Sequence, residues 1–178
     1  MKNWQTIKRR QIYKNPWIAV LEDSVRRPDG SAGLYGVVEV GDAVSIVALQ
    51  NDAICLVQQY RHSWGKLVWE VPCGGLHRGE SVLRAAKREL LEESGITAKK
   101  WKRLGIIESN DPVVNRFHLF LAQNLSFVPA RRDDSEVGMK SKMWKLSDYK
   151  KALLNGAIRD DMTIACICKA LMAISIKM

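Results

Sequence analysis

The chain has no apolar run approaching the roughly eighteen residues of a membrane-crossing helix. Its opening stretch, MKNWQTIKRR, lacks the apolar centre of a secretory leader. The four cysteines, Cys55, Cys73, Cys166 and Cys168, lack the paired CxxC spacing of a zinc site and stand in apolar or strand-like surroundings, so they read as buried thiols. Repeats, low-complexity tracts and linkers are missing too, which leaves one domain, with room at most for a small extra subdomain. These absences point to a reduced, cytoplasmic protein, and 178 residues are enough to bury a sizeable core. Basic residues do outnumber acidic ones, 28 Lys and Arg against 19 Asp and Glu, for a net charge of +9. That balance suits a polyphosphate or nucleic-acid partner. The cations are nevertheless scattered, with short clusters at Lys8-Arg9-Arg10, Lys99-Lys100-Lys102-Arg103 and Arg131-Arg132 and no aromatic-interleaved ladder, so nucleic acid is not expected as the main partner.

What the chain does have is an excess of carboxylates on one stretch, Gly74 to Ile96, GGLHRGESVLRAAKRELLEESGI. Glu89, Glu92 and Glu93 fall at helical positions i, i+3 and i+4 and share a face, where like charges repel. Arg88 pairs with Glu92, but one cation does not neutralise the cluster. A hard divalent ion does, taking carboxylate oxygens and completing its shell with water and substrate phosphate. Gly79-Glu80-Ser81 reads as a turn into the helix and Gly95 as the glycine that stops it. Leu83, Ala86 and Leu90 predict an apolar stripe, with Ala85 and Ala86 small enough for close packing. The alternative is a solvated charged helix with i,i+4 pairs such as Glu80 with Arg84.

Around this stretch the pattern is mostly β. Trp4 to Asp23 predicts one or two strands broken at Asn15-Pro16, and Arg27-Pro28-Asp29-Gly30 a turn into a strand from Gly33 to Val40. Ala43 to Leu49 and Ala53 to Tyr60 predict core strands joined at Gln50-Asn51-Asp52. Trp101 to Ile107 and Phe117 to Leu121 flank a loop, Glu108 to Pro112, of the kind that carries function. Arg131 to Glu136 is a polar loop before a strand-like Lys142 to Lys145. Leu146-Ser147-Asp148-Tyr149 caps a helix ending at Asn155-Gly156, and Ile158 to Ile176 predicts another.

The order G-x5-E-x7-R-E-U-x-E-E-x-G-U, filled by Gly74, Glu80, Arg88, Glu89, Leu90, Glu92, Glu93, Gly95 and Ile96, resembles the Nudix hydrolase signature. The resemblance implies an α/β protein with the Nudix fold, an α/β/α sandwich around a mixed β-sheet. An N-terminal antiparallel β-subdomain over residues 1–42 would precede a catalytic domain over 43–178. That extended N-terminal sheet is similar to those of the ADP-ribose and nucleoside-diphosphate-sugar pyrophosphatases, which commonly exchange it with a second subunit, and implies a homodimer unless it is the ordinary edge sheet of a monomer. By the same resemblance, Glu89, Glu92, Glu93 and the carbonyl of Cys73 hold one to three Mg²⁺ or Mn²⁺ ions. Cys73 stands where many relatives have alanine. Arg88 is expected to orient Glu92 and Glu89, and Arg61 to reach substrate phosphate, unless it is a solvated strand-end residue. Glu70 matches the glutamate of a WE-x-P segment. Pro112, sixteen residues after Ile96, has the spacing that marks ADP-ribose pyrophosphatases. Asp160 and Thr163 repeat a G-x-I-x-D-x-x-T pattern of the subfamily. Glu136 is the expected general base, with Asp133 and Asp134 as alternatives. Trp17 and Tyr35 on the N-terminal hairpin are candidates to stack on a nucleobase, from the same or the other subunit, unless they are core. The implied reaction is hydrolysis of a nucleotide sugar, ADP-ribose first and GDP-mannose next, to a nucleoside monophosphate and a phosphosugar. RNA 5′-end pyrophosphohydrolysis and non-catalytic ADP-ribose sensing are the competing readings.

Overall fold

The computed structural model describes residues 3–130 and 138–174, so Glu136, Asp133 and Asp134 lie outside the described residues. The strands are β1 (Gln5–Lys14), β2 (Ile18–Arg26), β3 (Ala32–Val40), β4 (Ala43–Gln50), β5 (Ala53–Arg61), β6 (Lys66–Glu70), β7 (Cys73–Gly75), β8 (Ile96–Glu108), β9 (Val113–Val114), β10 (Arg116–Phe127) and β11 (Lys140–Lys145). The helices are α1 (Val82–Ser94), α2 (Leu146–Leu154) and α3 (Asp161–Ala173). Contacts divide these elements into two units.

The smaller unit joins the residues up to Asp42 with Ile107–Phe117. Its sheet has the order β1-β2-β3-β9, antiparallel except for the β3–β9 pair. Asn15 closes the first turn, its Oδ1 accepting the N–H groups of Trp17 and Ile18 at 2.8 Å each. Alternation along β2 buries Leu21, Asp23 and Val25. The buried Asp23 carboxylate is held by both ends of the Arg9 guanidinium, at 2.7 and 2.8 Å, and this pairing pulls its pKa down. Every residue of β1 is exposed.

The larger unit runs from Ala43 to Ile106 and resumes at His118. Its seven-stranded sheet has the order β11-β5-β4-β10-β8, with β6 added to β5 and β7 to β4. β4 is buried on both sides, which is why AVSIVAL reads as a near-continuous apolar run, interrupted only by Ser45, rather than an alternation. Val44, Ile46 and Ala48 form one core with Ala85, Ala86 and Leu90 of α1 and with Cys55, Ile96, Phe120 and Ala122. The intervening residues point to the opposite face, where the Cys166 thiol of α3 donates to the Ser45 carbonyl at 3.7 Å. Helices on both faces of the sheet make the expected α/β/α layering, and the β3–β9 pair makes the protein's β-structure mixed.

Some expectations shift. Leu83 is 38% exposed and leaves the apolar stripe. At about 100° per residue, the face that buries Ala85, Ala86, Glu89, Leu90 and Glu93 is turned roughly a quarter turn away from it. The second C-terminal helix begins at Asp161, not Ile158. Ala157 and Ile158 instead donate to the Ala152 carbonyl, closing the exit of α2. The α2 start has no side-chain cap from Ser147 or Asp148; its cap position is Lys145. Of the four thiols, Cys55 and Cys166 are buried while Cys73 and Cys168 are half-buried.

Candidate active site

The centre of the larger unit is built where β5, β6, β7 and α1 meet. β6 runs antiparallel to β5, with Val57 opposite Glu70 and Arg61 opposite Lys66. After the link Val71-Pro72 the chain enters β7, where Cys73 pairs with Ser45 and Gly74 with Val44. The chain then turns through Gly79 into α1. Ser81 caps the helix by accepting from the Arg84 N–H, and Gly95 ends it in the left-handed conformation at φ 67°. A side chain at Gly95 would also meet the Val128 carbonyl at 2.2 Å, so both conformation and space require glycine there.

α1 buries two acids among its apolar residues, Glu89 and Glu93, at 6% and 3% exposure. Charges that deep need compensation. Glu93 Oε2 accepts the Cys73 N–H at 3.0 Å. Glu89 lies directly over Gly74, where an added Cβ would fall 2.3 Å from its carboxyl carbon. Glycine at 74 is therefore a matter of close approach, the carboxylate occupying the space of a side chain.

Arg88 binds this group together. Its Nε and Nη2 donate to the two Glu80 oxygens at 3.0 and 2.9 Å, and Nη2 also donates to the Gly75 carbonyl at 2.9 Å. Nη1 donates to Glu89 Oε1 at 2.6 Å and to Glu92 Oε2 at 3.0 Å. One planar fork thus ties the entry loop to two of the helix acids. Its hydrogen bonds hold Glu80 down at a pKa of about 2 and raise the guanidinium above its ordinary value. The sequence paired Arg88 with Glu92 and offered Glu80 with Arg84 only under the solvated-helix alternative; an eight-residue contact between loop and helix leaves no i,i+4 mark by which to find Glu80 with Arg88.

A second fork joins two residues predicted separately. Arg61 Nε donates to Glu70 at 2.9 and 3.0 Å, and Nη2 lies 2.8 Å from Glu70 Oε2. Gln59 Nε2 adds a bond at 3.1 Å. Burial raises the Glu70 carboxyl above its ordinary range in spite of the guanidinium. Arg61 Nη2 also lies 3.8 Å from Cys73 Sγ. Burial, and the nearby Glu93 and Glu70 carboxylates, push that thiol well above its ordinary value. Arg61 is therefore neither a freely solvated strand end nor aimed wholly outward; it is anchored on one edge and 38% exposed at its side chain.

Among the described residues, five acids, Glu70, Glu80, Glu89, Glu92 and Glu93, face two arginines in this region, an arrangement that favours a cation. Among the described residues no three His, Cys, Asp or Glu side chains converge tightly enough to cage an ion alone. Mg²⁺ seldom needs such a cage, being held through one or two carboxylates with water and phosphate filling the rest. Glu89 and Glu93, with main-chain carbonyls of the strand they lie on, fit that hard-oxygen requirement. The glycine cradle under Glu89 leaves the carboxylate fixed where an ion could use it.

The remaining candidates lie in the smaller unit. Trp17 is 75% exposed and so is not core. Tyr35 is half-buried, donates its hydroxyl to Asp111 and meets the Trp4 ring edge-on at 5.8 Å between centroids. The Pro112 carbonyl accepts the Val38 N–H at 3.0 Å, fastening its loop to β3. Sequence reasoning did not foresee the role of Thr163: fully buried, its Oγ1 accepts the Val71 N–H at 3.0 Å. The subsidiary D-x-x-T pattern was the available signal.

Comparison with known proteins agrees with this geometry. The model of the NUDIX domain matches residues 40–157, and that of the nucleoside diphosphate sugar hydrolase N-terminal domain matches residues 4–38. The chain is 31% identical over 167 residues to an ADP-ribose pyrophosphatase of Mycobacterium tuberculosis, covering 92% of this chain and 81% of the relative. It is also 31% identical over 134 residues to an ADP-ribose pyrophosphatase of Bacillus subtilis, covering 74% and 72%. Among solved structures, a crystal structure of an ADP compounds hydrolase shares the fold with a TM-score of 0.88 at 18% identity, over 98% of this chain and 96% of that one.

Proposed function

Because the chain belongs to the Nudix family, we propose that it is a divalent-metal-dependent hydrolase that cleaves the diphosphate link of a nucleoside diphosphate sugar, ADP-ribose in particular. The observation that carries this reading is the pair of buried carboxylates on α1, one seated on Gly74 and the other on the Cys73 N–H. The matched N-terminal domain and the two pyrophosphatase relatives support the substrate class.

In this reading Glu89, Glu92, Glu93 and the Cys73 carbonyl hold Mg²⁺, with Mn²⁺ as a substitute. A bound ion supplies neutralising charge to the diphosphate and acidifies a water molecule. Arg88 keeps Glu89 and Glu92 in fixed rotamers, so that little reorganisation is left for the moment of reaction. Glu136 takes the proton from the attacking water, Asp133 and Asp134 being the substitutes. Arg61, anchored by Glu70, turns its exposed edge to a phosphate oxygen. Trp17 or Tyr35 stacks on the base, and Pro112 shapes the loop beside them in the smaller unit. The products are a nucleoside monophosphate and a phosphosugar, and the setting is the cytoplasm. No helix among the described residues is long and apolar enough to cross a membrane.

A homodimer belongs to the same proposal. β1 exposes Ile7, Ile12 and Tyr13, and Trp17 follows, more apolar surface than a lone edge strand is expected to leave in water.

The test is a panel of ADP-ribose, GDP-mannose, dinucleoside polyphosphates and capped RNA, assayed with Mg²⁺ for newly released phosphate esters. ADP-ribose should give the highest kcat/KM, with AMP and ribose 5-phosphate as products. Preference for capped RNA, or turnover indifferent to chelation of divalent ions, overturns the reading.

A further inference from the structure

The link between β6 and β7 is only two residues long, Val71-Pro72, yet the backbone over Val71 to Cys73 makes three contacts to three different elements. The Val71 N–H donates to Thr163 Oγ1 of α3 at 3.0 Å. The Pro72 carbonyl accepts the Ile46 N–H of β4 at 2.9 Å. The Cys73 N–H donates to Glu93 Oε2 of α1 at 3.0 Å. Two of these partners are backbone or a proposed metal-holding carboxylate. The third is a hydroxyl ninety-two residues away in sequence.

Thr163 is itself held in place. It has no exposed surface, and its own N–H donates to Asp160 Oδ2 at 2.6 Å, the cap of α3. β-branching restricts its rotamer further, so the acceptor is presented to Val71 in one position. The Asp160 charge is also felt by Glu70 and Cys73, raising the pKa of both, so the start of α3 adjoins the same cluster electrostatically.

We propose that Thr163 is a positioning residue for the metal-holding carboxylates. By fixing the Val71 amide it fixes the Cys73 amide two residues on, and with it Glu93. Proline at 72 stiffens the link, so a displacement at Val71 is carried to Cys73 rather than absorbed between them. The inference rests on the proposed metal-dependent reading of the site.

The experiment is a Mn²⁺ titration of substrate-free protein followed by electron paramagnetic resonance, with thermal melts alongside. In wild-type protein a Mn²⁺ site weakened by Glu93→Gln establishes the reading on which the inference depends. Thr163→Val keeps the shape of the side chain, removes the acceptor and should weaken that site roughly 10- to 100-fold, the range typical of groups that hold a metal ligand in place. Thr163→Ser should restore affinity to within about threefold of wild type, because the hydroxyl alone is what the Val71 amide needs. Should Thr163→Val fail to fold, Thr163→Cys, which keeps nearly the same size and offers the Val71 amide only a weak acceptor, should weaken Mn²⁺ in the same direction. Mn²⁺ affinity unchanged in Thr163→Val, or in Thr163→Cys where that variant stands in, overturns the inference and leaves the metal reading intact. A wild-type protein with no Mn²⁺ site sensitive to Glu93→Gln overturns both.

Discussion

Replacing Gly74 by alanine tests whether the seat of Glu89 matters for catalysis rather than for folding. The new Cβ would lie 2.3 Å from the Glu89 carboxyl carbon and from Oε1, and 2.5 Å from Oε2. Ordinary contact between such atoms is about 3.5 Å, so the carboxylate must retreat by roughly 1 Å. It cannot do so freely, being buried on α1 and bonded to Arg88 at 2.6 Å. Overpacking of this kind destabilises by about 1–3 kcal/mol, against a gain of about 0.4–1 kcal/mol from stiffening the unfolded chain. The net loss is about 1–2 kcal/mol, a fall in Tm of about 2–8 °C for a domain of this size. Activity should suffer far more, because a displacement of about 1 Å at a reacting centre costs on the order of 10²-fold. The assay is kcat for ADP-ribose at saturating Mg²⁺ beside a thermal melt, with Gly75→Ala as control. Nothing lies within 4 Å of a Cβ at position 75, so that variant should behave as wild type. Gly74→Ala with kcat within about threefold of wild type would refute the argument, since the clash is not relieved without moving Glu89 or the strand beneath it.

Three further outcomes follow from the same geometry. Glu93→Gln retains an oxygen to accept the Cys73 N–H, so Tm should stay within about 4 °C while turnover is lost; near-normal kcat with Mg²⁺ removes Glu93 from the metal-holding set. Glu80, held at a pKa of about 2 in the fold against an ordinary 4.5, contributes stability that is fully present above pH 4.5 and is lost as the pH falls toward 2. Denaturant midpoints across that window should decline less steeply in Glu80→Gln, and parallel curves for the two proteins would show that the Arg88 fork does not act on stability in this way. Glu136→Gln should lower kcat by roughly 10²- to 10⁴-fold with KM nearly unchanged. A fall of less than about threefold, with Asp133→Asn or Asp134→Asn giving the large effect, assigns the base to those positions.

The helix and its borders were legible because their chemistry is local. A serine cap, a left-handed glycine and two alanines in contact with a sheet are each specified within a few residues, and α1 runs from Val82 to Ser94 between them. The strand pattern was legible for the same reason, Asn15-Pro16 and Asn51 marking turns. What could not be read were the pairings across the fold. Arg61 with Glu70, Glu80 with Arg88 and Thr163 with Val71 depend on which strand lies beside which, and nothing in the spacing of these residues encodes it. Leu83 was misplaced by a different route. Counting only apolar residues hid the fact that Glu89 and Glu93 belong to the buried face, so the stripe kept Ala86 and Leu90 but took in Leu83, about a quarter turn from the centre of that face.

The smaller unit is not contiguous in the chain. Its last strand, β9, arrives from Val113–Val114 and pairs with Val38 and Glu39 of β3. A cut after residue 40 therefore removes three strands and strands the fourth, leaving the Pro112 carbonyl without the Val38 amide it accepts. In genetic terms this part of the protein is not a cassette. A single junction after residue 40 does not carry the complete four-stranded sheet onto another catalytic body. A transplant that carries the first forty residues alone would bring a sheet whose edge is encoded some seventy codons downstream, so the two segments are expected to be inherited and to vary together.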